Sequence, residues 1–390
     1  MELNHKHDDK LAKFLKFTED PQEMIALGHR IVSEYDEVYK PQLMANMRET
    51  VRHYMPDADE QAREDMLFQS IYDYWAYGNI VDEEFYLKFY EKTHEEKLEY
   101  MVNRTRLIYV NHQNSGGGLD RINMLEDKYR LYQHLKPYYL RDVIVIRDDA
   151  DFPEFEAFVK KHEEFVVKPS DYSYGIGVHK ASLKDFGGDI RAMFDSILAE
   201  GHEIKRIHTS RDPRMVLEEL IDQDPSLAVL HPDSVNGIRA TAVRGKDNKI
   251  HIYHPWIKVG VNGTFVASAA LDGFDAEIDP ETGIVITDGY QENGNVYKIH
   301  PDSGITIKGF QIPKWDELVE LVDQLMAELP EYGYIGWDLV LTPRGWCVME
   351  GNYSGEFTFQ LINGRGFKKE FEELIGWKYD KDFWWRVKVV

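Results

Sequence analysis

The sequence predicts an α+β protein in which two lobes follow a helical segment. Apolar residues in the first 110 positions recur with helical spacing, whereas short apolar runs alternate with helical patterns from residue 142 onward. Two pairs of these apolar runs flank polar turns, which predicts antiparallel hairpins. Because hairpins mixed with helices favour α+β lobes, we do not expect a parallel sheet with helices on both faces.

Composition limits the function classes that fit this chain. Its 390 residues include 46 Lys and Arg against 69 Asp and Glu, a net charge of −23. A surface this acidic repels polyanions, which excludes a non-specific nucleic-acid binder but still allows a small anion held by buried cations. The single cysteine, Cys347, excludes an intrachain disulfide and a zinc–cysteine cluster, and its apolar neighbours predict a small core residue.

Targeting signals are not recognisable in the sequence. The N-terminus is polar, and no run approaches the roughly 20 apolar residues of a membrane-spanning helix. We therefore expect a cytoplasmic protein without a membrane span. The oligomeric state is not predictable from the sequence.

Residues 1–110 predict a helical domain that packs against the rest of the chain. Asp20 and Pro21 match an N-cap followed by proline at the first helical position. Apolar residues from Met24 to Tyr35 then recur every three or four positions, and residues 83–100 carry a charge-rich helical pattern. No residue pattern in this segment predicts chemistry.

The glycine-rich run 114–118 marks the first boundary, and strands and helices alternate after it. We expect helices at Arg121–Leu135 and Trp315–Met326 and strands at Val143–Ile146, Phe165–Lys168 and Met215–Leu217. One hairpin is predicted from Ile238–Val243 and Ile250–Val259, and a second from Tyr334–Leu341 and Trp346–Asn352.

The second predicted hairpin carries a pair of acids. If its loop is the three residues 343–345, with Gly345 in the left-handed conformation, Asp338 lies opposite Glu350. Opposed Cβ atoms lie about 4.5–5.5 Å apart, so the two carboxylates repel each other unless a cation lies between them. Mg²⁺ prefers such oxygen ligands, and Asn352 on the same face adds a carbonyl oxygen. These residues are the predicted metal ligands, and a solvated hairpin face is the alternative.

A lysine and a glycine-containing loop form a second candidate site. The strand that ends at Lys168 leads into a loop with Gly175 and Gly177. Glycines let backbone N–H groups approach an anion closely, and the lysine adds positive charge. The spacing matches neither the Walker signature nor a dinucleotide fingerprint. The loop is therefore either an anion-binding loop or a glycine-containing hairpin turn.

Charged residues also follow or interrupt two other predicted strands. Glu218 and Glu219 end the strand that begins at Met215, and they are either solvated or part of a nucleotide-binding hinge. Arg239 lies within a strand, where an unpaired charge is costly. It therefore either binds an anion such as phosphate or forms a structural salt bridge.

The order of these features resembles the ATP-grasp superfamily. Four segments are similar to its sugar-transfer-associated branch, from about residue 111 to the C-terminus: LEDK around Lys128, EELIDQDPSLAVLHPDSVNGIR, HPDSGITIKGFQIP and GWDLVLTPRGWCVMEGN. The resemblance implies an ATP-grasp fold, with an N-terminal lobe at 111–216 and a C-terminal lobe at 217–390. It follows the helical domain at 1–110.

The resemblance also implies roles for individual residues. Lys128 and Lys168 would bind the phosphates of ATP, and Arg239 with Lys168 would act in catalysis, the arginine by stabilising an acyl phosphate and a tetrahedral intermediate. Mg²⁺ would bind to Asp338, Glu350 and Asn352. The residues implied to cover the phosphates or to form the adenine hinge are Ser173, Tyr174, Gly175, Gly177, Glu218, Glu219 and Leu220. His300 receives no role, and Lys258 would either contact an acidic substrate or be exposed.

The implied activity is ADP-forming ligation of a small carboxylate and an amine through an acyl phosphate. The branch further implies polysaccharide or modified-sugar biosynthesis. Two alternatives stay open, an ATP-grasp kinase that phosphorylates a hydroxyl group and a nucleotide-binding module without turnover. Asn236-Gly237 and residues 268–270 depart from the pattern of the branch, which leaves the acceptor undefined.

Overall fold

A computed structural model gives the fold and describes residues 14, 16–117, 124–170, 177–208, 214–264, 267, 273–355 and 357–379. Two antiparallel sheets and several groups of helices build an α+β architecture, as the sequence predicts. In these ranges, no helix is both long enough and apolar enough to cross a membrane.

Helices form the first part of the chain. Asp20 caps the first of them by accepting a hydrogen bond from the Glu23 N–H at 2.9 Å. The pattern over residues 83–100 does not form one helix, because Lys88 adopts the left-handed conformation and Thr93 begins a new capping box. The helices of this part are α1 (Pro21–Glu34), α2 (Pro41–Tyr54), α3 (Glu60–Tyr77), α4 (Val81–Tyr86), α5 (His94–Glu99) and α6 (Asn103–Gln113).

A four-stranded antiparallel sheet follows, with the strand order β1-β4-β2-β3. Its strands confirm the three predicted ones and add a fourth: β1 (Val143–Ile146), β2 (Glu164–Pro169), β3 (His179–Ser182) and β4 (Met215–Glu219). Two helices, α8 (Phe152–Lys161) and α9 (Ile190–His208), contribute to an apolar core on one face of this sheet. The other face joins the main core of the molecule through Val143, Val145 and Val216.

The helix predicted over residues 121–135 is interrupted at Asp127. The carboxylate of Asp127 accepts hydrogen bonds from the N–H groups of Tyr129 and Arg130, each at 3.1 Å, so a new helix begins at the next residue. This helix is α7 (Lys128–Leu135). Because of the interruption, Lys128 lies in the first turn of α7.

The second sheet contains eight strands, and its main path runs β10-β9-β8-β7-β5-β11-β12. The run predicted as one strand at 250–259 is split at His254, which has a positive φ, and both halves pair with β5. The strands are β5 (Gly237–Arg244), β6 (Ile250–Ile252), β7 (Trp256–Val259), β8 (Phe274–Glu277), β9 (Gly289–Tyr290), β10 (Val296–Tyr297), β11 (Tyr334–Thr342) and β12 (Gly345–Asn352). The remaining helices are α10 (Pro225–Ala228), α11 (Trp315–Glu328), α12 (Phe359–Asn363) and α13 (Lys368–Ile375).

The hairpin of β11 and β12 has the predicted pairing at its acids but not the predicted loop. Thr342 pairs with Gly345, so the loop contains two residues rather than three. A β-bulge between Asp338 and Leu339 places one extra residue in β12 and restores the pairing of Asp338 with Glu350. The two deviations compensate, and the carboxylates face each other as predicted.

Buried hydrogen bonds join the helical segment to the second sheet. Asn114 accepts from the N–H groups of Gly333 and Tyr334 and donates to the Tyr334 carbonyl at 2.9 Å. The Gln360 side chain accepts from the Met101 N–H at 2.8 Å and donates to its carbonyl at 3.1 Å. The predicted boundary at 110/111 lies inside α6 and that at 216/217 lies inside β4.

Candidate active site

Asp338 lies at the centre of a buried ion cluster in the second sheet. Arg239 on β5 contacts both of its oxygens at 2.8 and 3.1 Å, and Lys258 Nζ lies 3.0 Å from Oδ1. Asn352 donates from Nδ2 to Oδ2 at 3.1 Å. Burial alone would raise the pKa of Asp338, but Arg239 and Lys258 hold it well below its usual range. Arg239 thus forms a salt bridge, one of the two alternatives that its sequence left open.

Glu350 pairs with a cation from the other side of the site. The Nζ of Lys128 lies 3.2 Å from its Oε1, and the lysine side chain is 9% exposed against 29% for the glutamate. The N–H of Lys128 donates to the Ser170 carbonyl at 2.9 Å, which fixes the first turn of α7 beside the end of β2. Because Asp338 is only 4% exposed, the alternative of a solvated hairpin face is excluded for it.

Glu218 and Lys168 form a second ion cluster, on the first sheet. Lys168 Nζ lies 2.6 Å from Glu218 Oε1, and Arg141 donates from Nε and from one terminal nitrogen to Oε2 at 2.9 and 2.8 Å. Burial alone would raise the pKa of Glu218, yet Arg141 and Lys168 lower it to about 2. Glu218 is buried, so the expectation that this acid could be solvated is wrong.

Arg141 is a site residue that the sequence analysis missed. Besides binding Glu218, it donates to the Val348 carbonyl of β12 at 2.6 Å and so connects the two sheets. Its position two residues before an apolar strand was the available signal, but an arginine at a strand end is usually solvated. Lys258 was expected to contact an acidic substrate or to be exposed, and it contacts Asp338 because it lies on β7 beside β5.

The two ion clusters influence one another. Burial lowers the pKa of Lys168, and the charges that act on it include Glu218, Arg141, Glu350 and Lys128. These residues come from both sheets and from α7. Among the residues joined by these ion pairs, cations outnumber carboxylates, which suits a ligand with several negative charges.

The donor chemistry of the hairpin fits a magnesium ion. Asp338 and Glu350 face each other and offer carboxylate oxygens, and Asn352 contacts Asp338 from the next position on the same face. In the structure, Arg239 and Lys258 compensate the charge of Asp338 and Lys128 that of Glu350. The repulsion argument from the sequence is therefore incomplete, because cations of the chain already compensate both carboxylates.

The glycine loop after β2 is described only at its end. Ser173, Tyr174 and Gly175 lie outside the described residues. Gly177 has a φ of 71°, and a Cβ there would lie 2.9 Å from the Pro169 ring, so a side chain would be strained by both conformation and space. The glycine is required for the chain to return to β3.

The predicted hinge lies where β4 ends. The Glu219 N–H donates to the Asp142 carbonyl, and its carboxylate accepts from the Asp142 N–H, both at 2.9 Å. Leu220 follows and is half-buried. The side chain of Glu218 points to Lys168 and Arg141, as described above, so both of its oxygens have protein partners.

Two segments with the same sequence, HPDS at 231–234 and at 300–303, fold alike. Each histidine is buried and accepts at Nδ1 from a backbone N–H three residues later, at 3.2 Å from Ser234 and 3.3 Å from Ser303. His300 also donates from Nε2 to the Gly260 carbonyl at 2.9 Å, and the Nε2 of His231 lies 3.3 Å from the Gly263 nitrogen. The two turns therefore hold the segment that directly follows Lys258 on β7. The sequence analysis left His300 without a role.

Comparison with known proteins places this geometry in a family. Residues 120–375 match the family described as sugar-transfer associated ATP-grasp. A search of curated proteins finds no match to the chain.

Three of the solved structures that are similar to the chain are a ligase and two synthetases. A D-alanine–D-alanine ligase from Bacillus anthracis is 16% identical, with 59% of this chain and 57% of that chain covered and a TM-score of 0.33. D-alanyl-alanine synthetase A from Vibrio cholerae is 11% identical, with 65% of each chain covered and a TM-score of 0.39. N5-carboxyaminoimidazole synthetase from Staphylococcus aureus, in complex with ADP, is 13% identical, with 67% of this chain and 54% of that chain covered and a TM-score of 0.38. The chain thus spans less than two thirds of the length of each of these structures.

Proposed function

The chain belongs to the sugar-transfer associated ATP-grasp family, and from this premise we propose that it is an ATP-dependent carboxylate–amine ligase. The proposed reaction consumes ATP, releases ADP and phosphate, and forms an amide through an acyl phosphate. Its substrates are a small carboxylate and an amine. We propose that the reaction belongs to polysaccharide or modified-sugar biosynthesis. This part of the proposal rests on the family and not on a residue of the site.

The observation that carries this proposal is the set of buried cations in an acidic chain. Lys128, Lys168 and Arg239 are each at least nine-tenths buried, although the chain has a net charge of −23. Each of them is paired with a carboxylate, but with Arg141 and Lys258 the five cations of the two clusters exceed the three carboxylates. Burying excess cations costs free energy, and a nucleotide triphosphate supplies several compensating negative charges. The one thiol, Cys347, is buried, and burial raises its pKa, so the site offers no thiolate for covalent catalysis.

The residues have distinct proposed tasks. Lys128 and Lys168 bind the phosphates, with the loop Ser173–Gly177 closing over them, and Glu218, Glu219 and Leu220 lie at the adenine. Arg239 holds the oxyanion that develops on the activated carboxylate. Asp338, Glu350 and Asn352 would hold Mg²⁺, which would neutralise charge on the transferred phosphoryl group.

The proposed chemistry balances without a nucleophile from the protein. A carboxylate oxygen attacks the γ-phosphorus of ATP, the bond to the bridging oxygen breaks, and ADP leaves. The amine nitrogen then attacks the acyl carbon, the bond from that carbon to the phosphoryl oxygen breaks, and phosphate leaves with the electron pair. The nitrogen loses a proton, and positioning by the chain's own cations supports both steps.

Mass spectrometry of the products tests the proposal. The protein is incubated with Mg-ATP and a pool of amino acids, amines and uronic acids, and ADP, AMP and new adducts are measured. We expect ADP together with a product formed by loss of water between two pool members. A phosphorylated hydroxyl compound would favour a kinase, AMP would contradict an acyl phosphate, and ATP binding without any turnover would favour a binding module.

The variant Glu350→Gln links the product to the site. Removing one carboxylate from the pair is expected to lower turnover at least about a hundredfold, since transition-state charge is compensated there. Glu320→Gln, an exposed acid on α11, is the matched control and should keep full activity. Full activity of Glu350→Gln would contradict the metal assignment.

A further inference from the structure

Arg106 is a buried cation that the family match does not include. It lies in the middle of α6, outside residues 120–375, and is 7% exposed. Its Nε is enclosed and has no hydrogen-bond partner. In the part of the chain that the structure describes, no carboxylate forms an ion pair with it. An arginine cannot lose its proton in a protein, and no acid of the cavity forms an ion pair with this one in the described residues, so the guanidinium is available to an anionic ligand.

The guanidinium lines a cavity between the helical segment and the second sheet. Met101 and Leu87 come from the helical side, and Phe357, Thr358 and Leu361 from the chain after β12. The enclosed part is narrow and offers about 20 Å³ to the centre of a water-sized sphere, which is room for a group about as large as a water molecule. The cavity therefore suits one end of a small ligand rather than a nucleotide.

The cavity is close in sequence and space to the catalytic cluster. A Cβ at Gly355 would lie 3.1 Å from a terminal nitrogen of Arg239, so the chain passes directly over that arginine. Thr358, which lines the cavity, is three residues further along. Three residues span at most about 11 Å, so a small substrate can reach from the cavity toward the acyl group held by Arg239.

We infer that Arg106 binds the carboxylate group of the amine substrate, which makes that substrate an amino acid. The planar fork of an arginine matches a carboxylate, and charge-assisted hydrogen bonds of this kind are among the strongest in proteins. Two acids, Glu83 and Glu292, line the same cavity. Oε2 of Glu83 accepts from the N–H groups of Ile80 and Asn103, each at 3.0 Å, and the negative charge of the two acids favours an ammonium group beside the bound carboxylate. This inference rests on the proposed ligase function, because it names the class of one of its two substrates.

Equilibrium binding without ATP tests the subsite directly. Glycine, acetate, methylammonium and inorganic phosphate are titrated into the full-length protein by calorimetry. We expect glycine and acetate to bind and Arg106→Gln to lose about tenfold or more of that affinity, while Arg106→Lys keeps part of it. Arg104→Gln, from the same helix but not part of the cavity, should bind as the unaltered chain does.

Three results would overturn the inference. They are binding of phosphate but not of carboxylates, binding of none of the four probes, and unchanged carboxylate affinity in Arg106→Gln. Loss of folding cannot be mistaken for loss of the subsite, because removing an unpaired buried charge should not lower the melting temperature. Thermal unfolding of Arg106→Gln checks this, and Arg106→Lys gives a second variant that keeps the charge.

Steady-state kinetics separates this inference from the ligase proposal. If amino acids are ligated, Arg106→Gln should raise the KM for the amino acid about tenfold or more with little change in kcat. Turnover with amines that carry no carboxylate, at an unchanged KM in the variant, would refute the inference and leave the ligase intact. Carboxylate binding that depends on Arg106 in a protein without ligation would refute the ligase and leave the anion site.

Discussion

At the residue scale, each acid of the site is matched by cations of the chain. Glu218 lies between Lys168 and Arg141, Asp338 between Arg239 and Lys258, and Glu350 against Lys128, as the distances above show. Such buried pairs contribute little net stability, but removing one partner leaves an uncompensated charge. The pairs therefore position the cations for a phosphate ligand and make the site sensitive to single substitutions.

Replacing Glu218 by glutamine should be strongly destabilising. The change leaves Lys168 and Arg141 buried without their anion, which typically costs about 3–5 kcal/mol. Urea unfolding at neutral pH measures the loss, and Glu320→Gln should change the free energy of unfolding by less than about 0.5 kcal/mol. A loss for Glu218→Gln no greater than that of the control would contradict the ion cluster.

The pKa of Glu218 also predicts how stability depends on pH. This pKa is lowered from an ordinary 4.5 to about 2, so the unfolded chain binds more protons between these values. The contribution is present above pH 4.5 and is lost as the pH falls toward 2. Unfolding measured at several pH values in that window should show a shallower acid decline for Glu218→Gln than for the unaltered chain. Equal slopes would show that the group titrates normally.

The residues of the site were only partly predictable from the sequence. Asp338, Glu350 and Lys168 stood out because charged residues interrupt or end apolar runs. Arg141 could not be selected, because its partner Glu218 is 77 positions away and only strand pairing brings them together. The role of Arg239 as the partner of Asp338 likewise depends on which strand lies beside β11.

At the element scale, the hairpin of β11 and β12 shows how a correct pairing can follow from an incorrect loop. The alternation of side chains fixed which acids share a face, but neither the two-residue loop nor the bulge has a sequence signal of its own. The split of the 250–259 run at His254 and the break at Asp127 likewise have no signal in the apolar pattern of the sequence. A positive φ at His254 and the capping hydrogen bonds of the Asp127 side chain override the apolar pattern.

The paired HPDS turns give a prediction at this scale. His300→Leu removes the acceptor for the Ser303 N–H and the partner of the Gly260 carbonyl, leaving buried polar groups unpaired at a cost of about 1–3 kcal/mol. Because these turns hold the segment after Lys258, the variant should also lose turnover while ATP affinity is retained. Thermal unfolding measures the loss of stability, calorimetry measures the affinity for ATP, and ADP release measures turnover. Unaltered turnover would show that the turn serves stability alone.

A matched control exists for the histidine variant. His251 lies on β6 with a side chain that is 38% exposed, and its ring contacts only the nearby Asp247. His251→Leu should therefore change stability by less than about 0.5 kcal/mol and leave turnover intact. The comparison separates the loss of a buried hydrogen-bonded histidine from the loss of any histidine.

At the scale of the whole molecule, the helical segment and the second sheet share one buried interface. Gln360 binds both backbone groups of Met101 across it, and a Cβ at Gly366 would lie 2.2 Å from the carbonyl of Glu99. A chain without residues 1–110 would expose this surface, so we expect it to aggregate. Size-exclusion chromatography and thermal unfolding of that truncation test the expectation. A soluble and active truncation would show that the helical segment is a separate appendage.

The order of motifs predicted the fold class and the family of the whole molecule, and the domain boundaries stay predictions. The fold class and the family follow from widely spaced motifs, which survive local errors in element assignment. The boundaries at 110/111 and 216/217 fall inside α6 and β4, because an apolar pattern does not reveal to which sheet a strand belongs. Contacts between the helical segment and the sheet also have no signal in the sequence.

The central claim is that an acyl phosphate forms from ATP. It is tested most directly by an isotope label on the oxygen atoms of the substrate carboxylate. Once the carboxylate substrate is known, it is prepared with ¹⁸O in its carboxyl group and incubated with Mg-ATP, the amine and the protein. We predict that one ¹⁸O atom appears in the released phosphate and that the nucleotide product is unlabelled ADP, because the carboxylate oxygen attacks phosphorus and leaves with it. Label in AMP, or phosphate without label beside a formed amide, would contradict the account.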